Sequence, residues 1–380
     1  MAAQDTTGDT AGDPAEDTAD NAADNAAGVT VQTVTGPVAA SELGMTLAHE
    51  HLFTDNRRRC REPDPDDAEA VEIAGSPLHP AYLARLRFDP MLSRDNAVLD
   101  DADLAVTEAL RFRAVGGRTI VNQTPLDCGR REGDLRQVAE RTGLNVVAGA
   151  GYYLEAFHPP WLRDATLDEI ADSIVREVEE GTDGVRAGIL GETGVSADFT
   201  DEERRVLRAS GRAQRRTGLP LSVHLPGWER YGSEVLDVLE AEGCDPAAVV
   251  LSHLNPSAGD VAYHRALGAR GTWLSFDMIG IDWWFGHQNT QAPADSVVAS
   301  AVAGLIGEGL GARILISCDT YLKMQLHAFG GYGYDHLPLR FLPALVREGV
   351  APERAAALLT DNPRDLFVTA ARTGAAGRGS

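Results

Sequence analysis

The sequence predicts an α/β fold, a (β/α)8 or TIM barrel, and three observations lead to it. From Val29 onward, eight short β-branched or apolar runs alternate with segments of helical periodicity, the pattern of repeated βα units around a parallel sheet. The hydrophobic content of 43% is ample for a buried core. The length of 380 residues allows one large barrel with extensions or two average domains, and the regular alternation favours the single domain.

The elements follow in order along the chain. The predicted strands are 45–52, 117–124, 144–153, 186–194, 219–225, 248–254, 271–279 and 312–320. Amphipathic stretches separate most of them. Residues 200–218, for example, begin with a Thr or Asp cap and acidic residues and end with arginines and a glycine, as helices do. Residues 29–44 are predicted to form a small strand pair that closes the bottom of the barrel. Residues 55–100 are predicted to form a long excursion from the barrel after the first strand.

Two tails are expected outside the barrel, which we place at residues 29–370. Residues 1–28 carry seven acidic residues and no Lys or Arg, and they lack both the basic start and the apolar core of a secretory signal. We therefore expect a disordered acidic leader. Residues 371–380 are expected to form a flexible C-terminal tail.

Charge and the absence of long apolar runs exclude two classes of partner. A net charge of −23 argues against binding to nucleic acid, which needs a basic surface. No apolar run reaches the 18 or so residues of a membrane span, so we expect a soluble protein without membrane contact. The scattered cysteines lack CxxC spacing, which argues against disulfides and thiolate metal sites and favours a reducing, cytoplasmic compartment. They are Cys60, Cys128, Cys244 and Cys318.

Unusual polar residues occur at the ends of five predicted strands. His49 and His51 alternate on strand one, so both imidazoles point to the same face, although an isolated HxH pair fits an exposed turn equally well. The others are Glu192 on strand four, His224 on strand five, His253 on strand six and Asp319 on strand eight. Catalytic groups of such barrels lie at the carboxyl ends of strands. The presence of all six of these residues at that end therefore predicts a metal centre.

On seven motifs the chain resembles the phosphotriesterase-related branch of the amidohydrolase superfamily. The motifs are GMTLAHEHLF, RAGILGETG, LSVHLPG, VLSHLNPS, ISCDT, GGYGYDHL and DNPRDLF, and they occur in the order of that family between residues 44 and 367. The resemblance implies a metal-dependent hydrolase with two divalent ions per chain. It also favours a homodimer or a monomer.

The resemblance assigns the metal ligands residue by residue. His49, His51 and Asp319 would bind the first ion, His224 and His253 the second, and an anionic group from strand four would bridge them. The best-known members use a carboxylated lysine there. This chain has a single lysine, Lys323, beyond strand eight, so Glu192 is the natural substitute. Both bridges are monoanions with two oxygen donors. Because glutamate is shorter, the backbone must come closer, which Gly191 and Gly194 would permit.

The resemblance also implies a mechanism and a metal. A hydroxide that bridges the ions would attack an ester, lactone or amide bond of a small molecule, and Asp319 would carry the proton to the leaving group. Imidazole and carboxylate ligands favour zinc, with manganese, cobalt or iron as alternatives. The competing functions are a phosphotriester hydrolase as the main activity and a mononuclear deaminase, which needs no bridging acid.

Substrate contacts are expected from the loops that follow the strands. The candidates are Tyr152 and its neighbour Tyr153, Trp228, Trp283 and Lys323. Trp283 could equally pack its loop onto the barrel, and a surface lysine is more often solvated than bound. Glu50 alternates away from the metals, and we expect it to fix the strand.

Overall fold

The computed structural model describes residues 28–286 and 289–377, and the strands in these residues confirm the predicted barrel. In chain order the strands are β1 Thr30–Thr33, β2 Gly36–Ala39, β3 Met45–Glu50, β4 Thr54–Asp55, β5 Val98–Leu99, β6 Gly117–Asn122, β7 Asn145–Ala150, β8 Ile189–Gly194, β9 Leu221–His224, β10 Val249–Leu251, β11 Trp273–Phe276, β12 Trp284–Phe285, β13 Thr290–Gln291 and β14 Ile314–Ile316. Eight of them, in the order β3-β6-β7-β8-β9-β10-β11-β14, form one parallel sheet. Each of the eight overlaps a predicted strand.

Helices connect these strands. In chain order the α-helices of the described residues are α1 Ala68–Gly75, α2 Leu83–Leu86, α3 Ala102–Ala114, α4 Glu132–Thr142, α5 Leu167–Glu179, α6 Asp201–Thr217, α7 Gly232–Ala241, α8 Val261–Gly268, α9 Asp295–Gly307, α10 Leu342–Arg347, α11 Pro352–Ala357 and α12 Asp361–Gly377. The end signals predicted for α6 are present. The Thr200 hydroxyl accepts from the Glu203 backbone, the Glu203 carboxylate accepts from the Thr200 backbone, and Gly218 ends the helix at φ 71°.

The predicted tails differ in outcome. The leader at residues 1–28 lies outside the described residues except for Gly28. At the other end, residues 371–377, part of the predicted C-terminal tail, continue the helix α12. Residues 378–380 lie outside the described part of the chain.

The first and last strands of the sheet are joined by a buried carboxylate. Glu50, at the end of β3, accepts hydrogen bonds from the Ser317 hydroxyl at 2.7 Å and from the backbone N–H groups of Cys318 and Thr320 at 2.8 and 2.9 Å. The Ser317 hydroxyl in turn accepts from the backbone N–H of His49 at 3.0 Å. Glu50 therefore has the structural role expected of it, and it closes the barrel.

The bottom of the barrel is filled from both ends of the chain. The strands β1 and β2 pair as an antiparallel hairpin, as predicted, and the backbone N–H of Val34 bonds to Val146 of β7 at 2.9 Å. Val31 of the hairpin packs with Val147, Ile189 and Phe367 of α12 in one buried cluster. This end is thus closed, and the carboxyl ends of the strands form the open end.

The excursion at residues 55–100 covers one side of that open end. It contributes α1, α2 and β5, and its buried residues pack against the loops that follow β11 and β14. Ile73 and Leu86 belong to this cluster together with Met278, Trp283 and Leu322. In the described residues no helix is long and apolar enough to cross a membrane.

Candidate metal centre

Six buried or nearly buried side chains meet at the open end of the barrel. They are His49, His51, Glu192, His224, His253 and Asp319, all predicted from the strand ends. Glu192 lies at the centre of the group. Its Oε2 atom is 3.1 Å from His224 Nδ1, 3.3 Å from His253 Nε2 and 3.5 Å from His49 Nε2. Its Oε1 atom is 3.6 Å from His51 Nε2. One carboxylate therefore contacts all four imidazoles.

The donor atoms form three overlapping sets, one of which is His49, His253 and Asp277. The other two have the composition that the resemblance implies. His49, His51 and Asp319 form one set, in which Asp319 Oδ1 is 3.1 Å from His51 Nε2 and 3.8 Å from His49 Nε2. Glu192, His224 and His253 form the other. Within each set the atoms lie within 4.8 Å of one another, which is compatible with a shared cation.

Asp277 is a seventh member of the group that the sequence analysis did not single out. It follows β11 and is fully buried, its Oδ1 atom accepts from the His253 backbone at 2.8 Å and lies 2.8 Å from His253 Nδ1, and its Oδ2 atom is 3.4 Å from His49 Nδ1. Its position in the sequence could have identified it. Asp277 is an acidic residue directly after the seventh strand, as Asp319 is after the eighth, and the carboxyl ends of barrel strands carry the catalytic groups.

Hydrogen bonds to the second ring nitrogen fix the orientation of three histidines. His51 Nδ1 lies 2.8 Å from the Thr124 hydroxyl, His49 Nδ1 lies 3.2 Å from the Ser252 hydroxyl, and His253 Nδ1 bonds Asp277. In each case the Nε2 atom faces Glu192. Metal-ligating histidines are commonly held in this way by a polar partner on the other nitrogen.

The backbone at the site is held in unusual conformations. His253 and Asp319 have φ values of 63° and 47°, a left-handed region that non-glycine residues adopt only when surrounding contacts hold them there. At Gly191 a Cβ atom would lie 2.6 Å from the Ser222 carbonyl oxygen, and at Gly194 one would lie 2.3 Å from Tyr153. Both glycines thus allow the strand that carries Glu192 to approach its neighbours closely.

The charges of the site depend on one another. Burial opposes ionisation of Glu192, but His224 and His49 hold the pKa of its carboxyl well below the usual range. Burial likewise opposes the charge of Asp277, yet His253 and His49 lower its pKa to about 2. Burial lowers the pKa of His49 and of His224, whereas the Asp277 carboxylate, against the effect of burial, raises the pKa of His253 well above its usual value.

The donor set fits a pair of divalent cations. His49 Nε2 and Asp277 Oδ2 are buried without a hydrogen-bond partner among the described residues, and such unsatisfied atoms are rare in folded proteins. All ligand atoms are imidazole nitrogen or carboxylate oxygen, which suits zinc, manganese, cobalt or iron. The residues present could therefore hold two ions, with Glu192 between them.

A cavity of about 180 Å³ opens above the centre. Its walls include His224 and Asp319 of the centre, Trp228 and Tyr153, and also Arg59, which was not predicted from the sequence. Of the five predicted substrate contacts, Tyr153 and Trp228 line this cavity, and the Trp228 ring centroid lies 4.6 Å from that of Phe285.

The other three predicted contacts lie elsewhere in the structure. Tyr152 is buried and its hydroxyl bonds Ser173 at 2.8 Å, while its neighbour Tyr153 faces the cavity. Trp283 is buried in the cluster that packs its loop onto the barrel, the alternative that the sequence left open. Lys323 forms an ion pair of 2.6 Å with Asp95, so its charge is neutralised away from the cavity.

All four cysteines are free, in agreement with the prediction that they form no disulfide framework. Cys318 is buried, and burial raises the pKa of its thiol well above the usual value. A nucleophilic role for Cys318 is therefore disfavoured.

Comparisons with known proteins agree with the architecture. The family model "Phosphotriesterase family" matches residues 29–367. The N-acetyltaurine hydrolase of Tetraodon nigroviridis is 35% identical over 340 residues, which are 88% of this chain and 97% of the relative. The N-acetyltaurine hydrolase of Homo sapiens is 31% identical over 340 residues, which are 88% of this chain and 96% of the relative.

Solved structures show the same relationship. A resiniferatoxin-binding protein from Rhodobacter sphaeroides is 46% identical with a TM-score of 0.87, and the match covers 89% of this chain and 94% of that one. A phosphotriesterase homology protein from Escherichia coli, complexed with phosphate in the active site, is 28% identical with a TM-score of 0.70, covering 86% and 99%. A lactonase from Listeria monocytogenes is 25% identical with a TM-score of 0.70, covering 89% and 98%. This chain is therefore a hydrolase that belongs to the phosphotriesterase family.

Proposed function

We propose that the protein is a binuclear metal-dependent hydrolase that cleaves an N-acyl amide of a small molecule, with carboxylic esters and lactones as further substrates of the same centre. The observation that carries the proposal is the position of Glu192, whose carboxylate contacts the imidazoles of both histidine pairs. The amide bond is favoured because relatives of 31–35% identity over 88% of the chain are named N-acetyltaurine hydrolases.

The residues of the centre would have different roles. His49, His51 and Asp319 would hold one ion, His224 and His253 the other, and Glu192 would span both. When bound, such ions lower the pKa of a water ligand towards 7 and polarise the carbonyl oxygen of the scissile bond. The chain itself supplies a closed floor, fixed imidazoles and a cavity that orients the substrate.

We assign the proton transfer to Asp319. Its carboxylate lines the cavity and lies 3.1 Å from His51 Nε2, while its backbone is fixed on both sides. Its N–H donates to the His49 carbonyl at 3.2 Å, and its carbonyl accepts from the Gln325 amide at 2.8 Å. From this position the carboxylate would take a proton from the attacking water and deliver it to the leaving nitrogen or oxygen.

A phosphotriester hydrolase is the second candidate. It is favoured by the phosphate in the active site of the Escherichia coli neighbour. A mononuclear deaminase is disfavoured, since a site with one ion needs no carboxylate between two pairs of histidines.

The test is hydrolysis of a panel of N-acyl amides, lactones, aryl esters and phosphotriesters by zinc-reconstituted protein of measured metal content. We expect two metal equivalents per chain and the highest kcat/KM for an N-acyl amide. Highest kcat/KM for a phosphotriester would favour the second candidate. One equivalent in a fully active enzyme, or no hydrolysis of any compound, would overturn the proposal.

A further inference from the structure

The cavity above the centre contains a single Lys or Arg side chain among its described lining residues, Arg59. This residue ends a short 3-10 turn, Arg57–Arg59, in the loop that follows the first barrel strand. Its side chain is partly buried and lines the same cavity as His224 and Asp319. A cation therefore faces the space in which a substrate would lie.

The Arg59 guanidinium has no acidic partner in the described part of the chain. Its Nη1 atom lies 3.3 Å from the Tyr153 hydroxyl, its Cζ atom lies 5.9 Å from the centroid of the Tyr321 ring, and no described carboxylate oxygen comes within 4.0 Å of its nitrogens. A guanidinium carries five N–H donors, so most of them are free to bind another group.

The neighbouring arginines of the same turn differ in this respect. Arg57 is exposed and its Nε atom donates to the Asp55 carboxylate at 2.9 Å. Arg58 is exposed and donates to the Ala156 carbonyl at 3.1 Å. Neither lines the cavity. The unpaired charge of Arg59 is thus a property of its position and not of the turn as a whole.

The metal centre itself offers little surplus charge to an anion. Glu192, Asp277 and Asp319 contribute three negative charges, so two divalent ions would leave about +1, and loss of one proton from a water ligand would cancel it. Asp277 lowers this net charge by one, because the two ligand carboxylates, Glu192 and Asp319, would by themselves leave about +2 on a centre with two divalent ions. Among the described lining residues, Arg59 is therefore the side chain whose positive charge is available to an anionic group.

Arg59 lies within reach of the reacting bond. The Tyr153 hydroxyl contacts Arg59, and the Tyr153 ring centroid lies 4.9 Å from that of His224. One tyrosine side chain therefore spans the distance from the guanidinium to the centre. A substrate with its scissile carbonyl at the centre would bring an anionic group to Arg59 over a short linker.

We propose that Arg59 binds an anionic group, a sulfonate or a carboxylate, at the end of the substrate that leaves with the amine. This inference rests on the proposed hydrolase function and narrows its substrates to N-acyl amides of small amino acids or aminosulfonates. A planar guanidinium binds such groups through two parallel hydrogen bonds, which fix the orientation of the amide as well as adding affinity.

The first test compares three amides of matched length on zinc-loaded protein: N-acetyltaurine, N-acetyl-3-aminopropanoate and the neutral N-butylacetamide. We expect Arg59→Gln to raise KM for the preferred anionic amide by about 10- to 100-fold, the loss of a charged hydrogen-bond pair. Hydrolysis of N-butylacetamide should change by less than about 3-fold, which shows that the variant is folded. Arg59→Lys should recover part of the loss.

Arg58→Gln is the matched control, because it removes the same charge from the same turn outside the cavity. We expect it to leave all three KM values unchanged. An equal loss in both variants, or a loss that extends to N-butylacetamide, would overturn the role of Arg59. The relative KM values of the sulfonate and the carboxylate show which group the site prefers.

The second test needs no turnover. Calorimetry on zinc-loaded protein with 1-butanesulfonate, which has no scissile bond, should show binding that Arg59→Gln weakens at least tenfold and Arg58→Gln does not. Equal binding to all three proteins would place the anion elsewhere and overturn the inference. If none of the amides is hydrolysed, the proposed function fails, while this binding difference still decides whether Arg59 holds an anion.

Discussion

At the residue scale, Glu192 has the largest number of contacts within the centre. Its two oxygen atoms lie within 3.1–3.6 Å of four imidazoles. Among the described carboxylates, Glu192 contacts the largest number of imidazoles from the two histidine pairs. Removing it would leave buried imidazoles without their shared acceptor and the proposed pair of ions without a bridge.

We therefore expect Glu192→Ala to lose most of the activity and one metal equivalent per chain. Inductively coupled plasma mass spectrometry on dialysed protein measures the metal, and Glu234→Ala, on the exposed side of α7, is the control. Two tightly bound equivalents in the variant would refute the bridging role.

Asp277 would act on the proposed ions through the imidazole of His253, which it holds. Its carboxylate bonds both the backbone and the ring of His253. Asp277→Asn should weaken metal affinity about 10- to 100-fold, since second contacts of this kind orient the ligand and raise its basicity. Competition with a chromophoric chelator measures the affinity. Unchanged affinity, together with unchanged folding by circular dichroism, would show that His253 is held by other contacts.

Residues outside the strands were the hardest to predict. Strand β7 ends at Ala150, and beyond it the alternation of side chains no longer applies, so the sequence could not decide between Tyr152 and Tyr153. Arg59 lies in a long excursion whose path depends on tertiary packing, and nothing in its local sequence distinguishes it from the two arginines before it.

At the element scale, the strand ends explain why the centre could be predicted. Parallel strands of a barrel all end at the same face, so polar residues after apolar runs point to one place whatever the loops do. The six residues found by this rule do converge. Asp277 obeys it too, but a single acid after Phe276 has no accompanying motif and was overlooked.

The helix α8 carries a buried histidine that makes stability depend on pH. His264 lies 2.8 Å from the Ser257 hydroxyl, and burial lowers the pKa of its imidazole to about 4. The unfolded chain, with the ordinary pKa of 6.5, takes up this proton first as the pH falls. The contribution of His264 to stability is therefore complete above pH 6.5 and is lost as the pH falls towards 4.

We expect His264→Gln to show a weaker loss of stability than the unsubstituted protein between pH 7 and pH 5. The two losses in free energy of unfolding should differ by about 2 kcal/mol at pH 5, because each pH unit below 6.5 contributes about 1.36 kcal/mol. Urea unfolding of both proteins at the two pH values measures it. Parallel changes in both proteins would mean that His264 is protonated at the same pH in the folded and unfolded chains.

At the scale of the whole molecule, the proposed ions would connect five of the eight barrel strands, since their ligands lie in or just after β3, β8, β9, β10 and β14. Asp277, after β11, is tied to them through His253. An ion that binds only the folded chain stabilises it by about 2.7 kcal/mol at one hundred times its dissociation constant.

Chelation should therefore lower the melting temperature by about 5 °C or more. Differential scanning calorimetry with and without a chelator measures the change, and readdition of zinc should restore the original temperature. The Glu192→Ala protein should show a smaller shift. A melting temperature that does not respond to chelator in the unsubstituted protein would contradict the convergence of these strands on bound metal.

The closure of the sheet has a consequence for the way the chain matures. Glu50, between two proposed ligands near the start of the chain, is bonded to Ser317, Cys318 and Thr320 beside the last proposed ligand. Two of the six proposed ligands, His49 and His51, are thus synthesised early, and the centre remains incomplete until the eighth strand emerges. A nascent or prematurely terminated polypeptide would have neither a sealed barrel nor an assembled centre, so hydrolysis would begin only when synthesis of the whole domain is finished.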